Sequence, residues 1–336
     1  MTSPDTGDTA ASARFTLENR LPSDFYQASL RADVAGGLGT TPRTLSPKWF
    51  YDQRGSELFE QITALPEYYP TRAEQEILST RAAEIAAAVG ARTLVELGSG
   101  SSRKTRLLLD ALTAAGTLER YVPVDVSGSA LVAAGEALGR EYPGLRVAAT
   151  VTDFEDDLVL SADDPDPRML AFLGSTIGNF DPAQRRKLYA AFHRALRDDD
   201  SLLLGADLVK DPSVLVPAYN DDLGITAAFN KNVLAVLNRE LDSDFDLAEF
   251  EHEAVWNAQE ERIEMYLRSR VQQSVKIRAL DLAVDFAADE LLRTELSCKF
   301  RREGLTAELA AGGFAVRHWW TDQAGRFALL LAEPVR

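Results

Sequence analysis

From residue 72 to residue 209, short apolar runs alternate with helix-length segments, and few folds accommodate that alternation. The strands are expected at 94–97, 119–127, 145–154, 168–180 with its exit, and 201–209; helices are expected at 72–89, 102–115, 129–140 and 182–197. Thr71-Arg72-Ala73-Glu74 reads as a capping box that starts the first helix, and Gly90 as the residue that ends it. Such an order predicts a parallel sheet covered by helices on both faces. After residue 209 the alternation stops. Helices over 211–221 and 225–240 and the two-residue alternation of RIEMYLRSR and ALDLAVDF predict an inserted α+β lobe. The sheet resumes with LTAELAAGG as a helix, FAVRHWW as a strand, TDQAG as a turn and RFALLLAE as a strand. That terminal hairpin places one reversed strand in the sheet.

A chain of 336 residues is long for one core, so two units are expected. The sheet unit takes 73–209 plus 300–336, the second lobe takes 25–72 plus 210–299, and 1–24 form a polar, disordered tail. The formal net charge of −16 repels phosphate backbones and anionic lipid, which argues against nucleic-acid and membrane partners. One cysteine, Cys298, allows no internal disulfide and fits a cytoplasmic protein. The histidines at 193, 252 and 318 lack metal-ligand spacing, so no metal is expected. No apolar stretch is long enough to span a bilayer, and MTSPDTGDTAAS lacks the make-up of a signal peptide. Monomer is the default assembly.

The ligand crevice of such sheets lies at the carboxyl ends of the strands. There the first strand runs into VELGSG, with Gly98 and Gly100 letting backbone approach a ligand closely. The glycine spacing fails the P-loop pattern, and Arg103 breaks the dinucleotide fingerprint. An E-x-G-x-G turn suits S-adenosylmethionine, which carries no phosphate. Asp125, at the end of the second strand, can accept both ribose hydroxyls; a helix-capping role there falls equally to Ser127 or Ser129. Asp153 and Phe154, at the end of the third, can take an adenine amino group and cover the ring. Three such sites at successive strand ends favour an adenosyl ligand.

Longer strings extend this reading: PKWFYD (47–52), LPEYYPTR (65–72), FLGSTIGN (172–179), ADLVKD (206–211), AFNKNVL (228–234), EERIEM (260–265) and TELSCKFR (294–301). With these the chain resembles, from about residue 25 to its end, the histidine-specific N-alpha-methyltransferases that make hercynine in ergothioneine synthesis. The resemblance implies a Rossmann-like methyltransferase sheet with an inserted α+β domain. It implies S-adenosylmethionine as methyl donor, S-adenosylhomocysteine as product and L-histidine as acceptor. It assigns Tyr51, Phe59, Gly98, Lys104, Asp125, Asp153 and Phe154 to the methyl donor. To the amino acid it assigns Tyr68, Gly174, Asn179, Tyr219, Met265, Glu295 and Ser297, with Tyr51 and Asn179 nearest the chemistry.

The side chains make chemical sense in those roles. Glu295 and Ser297 lie two apart, so in a strand they share a face; the spacing alone favours an exposed acid and a neutral neighbour, and the resemblance reverses that. Together they can hold an imidazole, which offers two nitrogens. The Asn179 amide donates and accepts, which suits an amino acid's carboxylate and amine. Tyr51, Phe59, Tyr68 and Tyr219 suit a trimethylammonium product through hydroxyl and ring face. Cys298 is expected to be buried, with Lys299 facing the other way. The rival readings are a methyltransferase for another small amino acid or amine, a silent adenosylmethionine sensor, a nicotinamide oxidoreductase, and a methyltransferase acting on a basic protein.

Overall fold

A computed structural model of the chain describes residues 14–100, 102–155 and 158–336. Its first elements are β1 (Phe15–Asn19), α1 (Phe25–Leu38), β2 (Arg43–Thr44), α2 (Gln53–Ala64), α3 (Tyr69–Val89), β3 (Thr93–Leu97) and α4 (Arg106–Ala114). β4 (Arg120–Asp125), α5 (Gly128–Glu141), β5 (Arg146–Val151), β6 (Arg168–Phe172), α6 (Pro182–Ala195) and β7 (Ser201–Asp207) follow. Then come α7 (Pro212–Leu215), α8 (Ile225–Leu241), β8 (Phe250–Asn257), β9 (Arg262–Ser269), β10 (Gln273–Ile277) and β11 (Leu282–Phe286). β12 (Leu291–Cys298), α9 (Arg302–Ala311), β13 (Phe314–Thr321) and β14 (Phe327–Pro334) close the chain.

The main sheet has the order β1-β5-β4-β3-β6-β7-β14-β13. β14 alone runs against its neighbours, pairing antiparallel with both β7 and β13. β3, β6 and β7 are buried at every residue, as strands covered on both faces must be, and this is why they read as unbroken apolar runs. A second sheet, β2-β12-β9-β8, lies outside this one. One apolar core, with Phe50, Phe229, Phe250 and Leu267, draws on residues 30–69 and 215–292; two further cores are drawn from residues 73–332 and include the main-sheet strands. Among the described residues no helix is long and apolar enough to cross a membrane.

Three expectations need correction. The capping box at Thr71–Glu74 does not form. Pro70 sits in the first turn and α3 already begins at Tyr69, so Thr71 lies inside the helix. The capping box that does form is at Asp181, whose carboxylate accepts from the amides of Ala183 and Gln184 while Gln184 reaches back. The tail expected over 1–24 is not unstructured throughout: Phe15–Asn19 pair in parallel with Val147–Val151 through the main chain. Its first 13 residues lie outside the described residues. The helix expected over 211–221 is cut short at Leu215, and Pro217 opens a separate 3₁₀ turn ending at Tyr219.

Two segments that leave the main sheet run side by side. The Phe300 amide donates to the Asp207 carbonyl at 2.8 Å and the Val209 amide to the Phe300 carbonyl at 3.0 Å. This short parallel bridge brings the end of β7 against the end of β12.

At the opposite end of the sheet, the buried Asp200 carboxylate takes the Arg168 guanidinium at 2.5 and 2.9 Å and the amides of Arg168 and Arg197 at 2.7 Å. Arg168→Met leaves that carboxylate without its cation. Urea unfolding should show a loss of about 3–5 kcal/mol. A loss under about 1 kcal/mol would mean that the Asp200 carboxylate gains water or a proton once its cation is removed.

Candidate active site

The glycine turn after β3 is built by carboxylates on both sides. Gly98 (φ +65°) and Gly100 (φ +48°) adopt the left-handed conformation, and a Cβ on either would project into open space. Asp125 holds the turn: its carboxylate accepts from the Gly100 amide at 3.0 Å and the Ser127 amide at 2.9 Å. Burial pushes the Asp125 carboxyl up, and those amides oppose the shift. Ser127 caps α5, so Asp125 is not needed as the cap. Glu96 faces inward and takes Thr105 at 2.6 Å and Tyr121 at 2.5 Å. Burial raises it to about 7 against those two donors. It therefore clamps the start of α4 to β4.

Lys104 does not stand free. Its ammonium is 2.5 Å from Glu74, whose other oxygen accepts from the Gly174 amide at 2.7 Å. Glu74 thus ties the exit of β3 to the exit of β6, where Gly174 takes φ +76°. Asp153, buried, accepts from the Glu155 amide at 3.0 Å and lies 3.7 Å from Lys48. Phe154 packs on Phe172, 5.5 Å between ring centroids.

The aromatic residues form an arc. Tyr51 meets Phe59 at 5.5 Å, Phe59 meets Tyr68 at 6.1 Å, and Tyr68 meets Tyr219 at 6.3 Å. Phe229, a core residue of α8, backs both Tyr51 and Phe59. Tyr51 keeps 45% of its surface open. Crowding by protein, then the carboxylates of Glu295 and Asp125, hold its phenol well above the usual tyrosine range. Tyr51 is thus within electrostatic reach of both residue groups predicted from the sequence.

β12 carries the other wall. Glu295 pairs across the sheet with Met265 of β9, just after a register shift at Arg293/Glu295. No donor among the described residues reaches the Glu295 carboxylate. Burial pushes it up to about 7, opposed by Lys299. Ser297 and the Tyr219 hydroxyl lie 2.8 Å apart. Asn179 ends a 3₁₀ turn (Thr176–Asn179) packed against β12, and its half-buried side chain has no partner among the described residues. Cys298 is buried with its thiol 3.7 Å from the Phe180 carbonyl, and burial raises its pKa.

Sequence reasoning missed a buried charge cluster behind this wall. Lys299 lies 2.8 Å from both Ser297 and Tyr219 and 2.9 Å from Asp207. Asp207 also takes Tyr69 at 2.7 Å and Lys210 at 2.6 Å. Burial alone pushes the Asp207 carboxyl up, but Lys299 and Lys210 outweigh it and hold it below the usual range. The signal was period two: Glu295, Ser297 and Lys299 fall on one face. His252 was also missed. Asn230 donates to its Nδ1 at 2.8 Å, so its Nε2 donates to the Tyr219 carbonyl at 2.8 Å.

Comparison with known proteins adds the following. The profile of the family described as histidine-specific, S-adenosylmethionine-dependent methyltransferases matches residues 30–334. The histidine N-alpha-methyltransferase of Mycolicibacterium smegmatis is 57% identical over 317 residues, covering 94% of this chain and 98% of that protein. That of Mycobacterium tuberculosis is 55% identical over 319 residues, covering 95% and 99%. Ergothioneine biosynthesis protein 1 of Neurospora crassa is 35% identical over 204 residues, covering 59% of this chain and 23% of that protein.

The Asp125 geometry has a direct consequence. Asp125→Ala removes the acceptor from two amides, so hydrogen exchange at Gly100 and Ser127 should quicken at least about tenfold while β4 stays protected. Unchanged exchange at both positions would show that the turn holds itself.

Proposed function

The chain belongs to the histidine-specific, S-adenosylmethionine-dependent methyltransferases, and from this we propose that it trimethylates the α-amino group of L-histidine to hercynine, the first step of ergothioneine synthesis. One observation of the site carries the choice of amino acid: a Glu295 carboxylate with no hydrogen-bond partner among the described residues stands beside a Ser297 hydroxyl on one face of β12. An imidazole satisfies both, and an apolar side chain leaves the carboxylate buried and unpaired, which is costly.

The open space beside Gly98 and Gly100 fits a ligand that needs close backbone approach. Gly98, Asp125, Asp153, Phe154, Lys104, Tyr51 and Phe59 are the residues proposed to hold S-adenosylmethionine, which supplies an electrophilic methyl group when bound. The chain's own work is positioning, worth up to about 7–11 kcal/mol when the reacting atoms are held in line. Glu295, Ser297 and Met265 fix the ring. Asn179 and Tyr68 take the carboxylate and amine near Gly174, and Tyr219 closes the arc. Tyr51, whose phenol is held well above the usual range, stays protonated near neutrality. It can orient the amine through its hydroxyl but does not store a phenolate base. The second lobe, 25–72 with 210–299, is proposed as the substrate-binding domain on the methyltransferase domain, 73–209 with 300–336. The working form is proposed to be a cytoplasmic monomer with no membrane or nucleic-acid partner.

Mass spectrometry after incubation with S-adenosylmethionine and each of the twenty amino acids tests the reading. Three methyl groups should appear on histidine alone; none on histidine would sink it. Glu295→Ala should lower kcat/KM for histidine about 10- to 100-fold, mainly through KM.

The pH profile follows from Glu295. Its carboxyl, raised to about 7 in the free enzyme, must be ionised to accept the ring N–H, so kcat/KM should fall as pH drops through about 7. The substrate ring itself titrates near about 6.5. A 1,2,4-triazolylalanine, whose ring does not protonate there, should keep the same acid limb. Loss of that limb with the triazole would assign it to the substrate instead.

A further inference from the structure

The ammonium of Lys299 is fully buried and has three hydrogens to donate and no lone pair to accept with. Its partners are three: Ser297 Oγ at 2.8 Å, Tyr219 Oη at 2.8 Å and Asp207 Oδ2 at 2.9 Å. Every hydrogen is therefore spent, and both hydroxyls must act as acceptors toward Lys299. The two hydroxyls are also 2.8 Å from each other, so one donates to the other. A phenol is the more acidic hydroxyl and the poorer acceptor, so Tyr219 donates and Ser297 receives. Ser297 Oγ then accepts twice, from Lys299 and from Tyr219, and both its lone pairs are used. Its one remaining capacity is its own proton, directed at whatever lies before β12.

Glu295, two residues away on the same face, is an acceptor only when ionised. Side by side, the two offer one acceptor and one donor. A neutral imidazole presents the complement, one N–H and one lone pair. An imidazolium presents two N–H groups, and the second finds a saturated oxygen. Resting on the histidine reading above, we propose that Lys299 is a positioning residue that makes Ser297 an obligate donor, so that the site takes histidine only as the neutral ring in a single tautomer.

The fold supplies this arrangement. The bridge between the ends of β7 and β12 sets Asp207 against Lys299, and Lys210 and Tyr69 hold the far side of the same carboxylate. With those two partners retained, Asp207 stays paired when Lys299 is removed.

Two measurements test the proposal. In the first, ring-¹⁵N-labelled L-histidine is bound to the wild-type protein with S-adenosylhomocysteine. Nitrogen NMR should show one N–H-type and one lone-pair-type nitrogen. Two N–H-type nitrogens, or averaged shifts, would overturn it. In the second, Lys299→Met is compared with wild type on L-histidine, pyrrol-2-ylalanine and pyrrol-3-ylalanine, analogues that keep one ring N–H and carry C–H in place of the other nitrogen. The wild type should prefer histidine over both. In the variant that preference should shrink at least about tenfold, with KM for histidine rising more than kcat falls. An equal proportional loss on all three substrates would show a merely structural lysine and overturn the proposal. If the wild type neither binds nor methylates histidine, the function reading itself fails, an outcome distinct from the others.

Discussion

A carboxylate withdrawn from water costs several kcal/mol unless donors surround it, and the carboxyl edge of this sheet is crowded with carboxylates. Glu74, Glu96, Asp153 and Asp207 are all buried there. Asp153 takes the nearby Glu155 amide, and the other three are satisfied by groups from elsewhere in the chain, so each of those three fastens one element to another. Glu96 draws Thr105 and Tyr121 together and thereby sets the start of α4. Glu74 draws in Lys104 and the Gly174 amide, and it leaves no room at position 205, where a Cβ would come within 2.4 Å of its Oε1. Asp207 gathers Tyr69, Lys210 and Lys299. These pairs add little net stability, because desolvation consumes most of the attraction. What they contribute is specificity: the loops at the ligand edge have few other arrangements that leave no charge exposed to an apolar interior.

That same feature divides what could be read in the sequence from what could not. The fully buried strands announced themselves as apolar runs, and the terminal hairpin correctly indicated one reversed strand. The strand-end residues Gly98, Asp125 and Asp153 were legible because a parallel sheet puts its ligand crevice at one edge. Glu74 was not. Three residues after Thr71 it looks like the reciprocal half of a capping box, and nothing local reveals a lysine 30 positions away. β1 was missed because it is an edge strand with four of its five residues exposed, which leaves no apolar run to read. Lys299 was within reach of a period-two count from Glu295 but was weighed only as a neighbour of Cys298. Phe229 shares a helix face with Val233 and Leu237, so its place behind Tyr51 and Phe59 needed the tertiary fold to appear.

The segments that carry the site differ along the same line. The edge of the main sheet carries a glycine turn held by Asp125 and a Gly174 amide already given to Glu74. Tyr51, Phe59, Tyr68 and Tyr219 form an aromatic arc, and β12 carries the Glu295 carboxylate and the Ser297 hydroxyl. Tyr51 opens the arc, and both the Glu295 and the Asp125 carboxylates push its phenol up. A displacement chemistry that asks chiefly for alignment is suited to such a division, because one rigid surface can hold the donor while the other reads the acceptor.

Three successive transfers place a further demand on the site. The acceptor amine begins as an uncharged nucleophile and ends as a fixed cation. A free carboxylate beside it would keep the amine protonated at the start and grip the product at the end, and binding both states equally tightly gains nothing in rate. The carboxylates that influence the arc are already engaged. Asp207 is held by two lysines and Glu74 by Lys104, while Glu295 is the carboxylate proposed to take the histidine ring. The residues proposed to face the nitrogen, Tyr51, Phe59, Tyr68 and Tyr219, offer ring faces and, from the tyrosines, hydroxyls. Ring faces attract a cation by about 0.5–2 kcal/mol, enough to favour charge as it develops and too little to trap it. Lys299 has a part in this as well: by offsetting Asp207 while directing the Ser297 hydroxyl, it keeps the recognition of the ring separate from the charge balance at the amine.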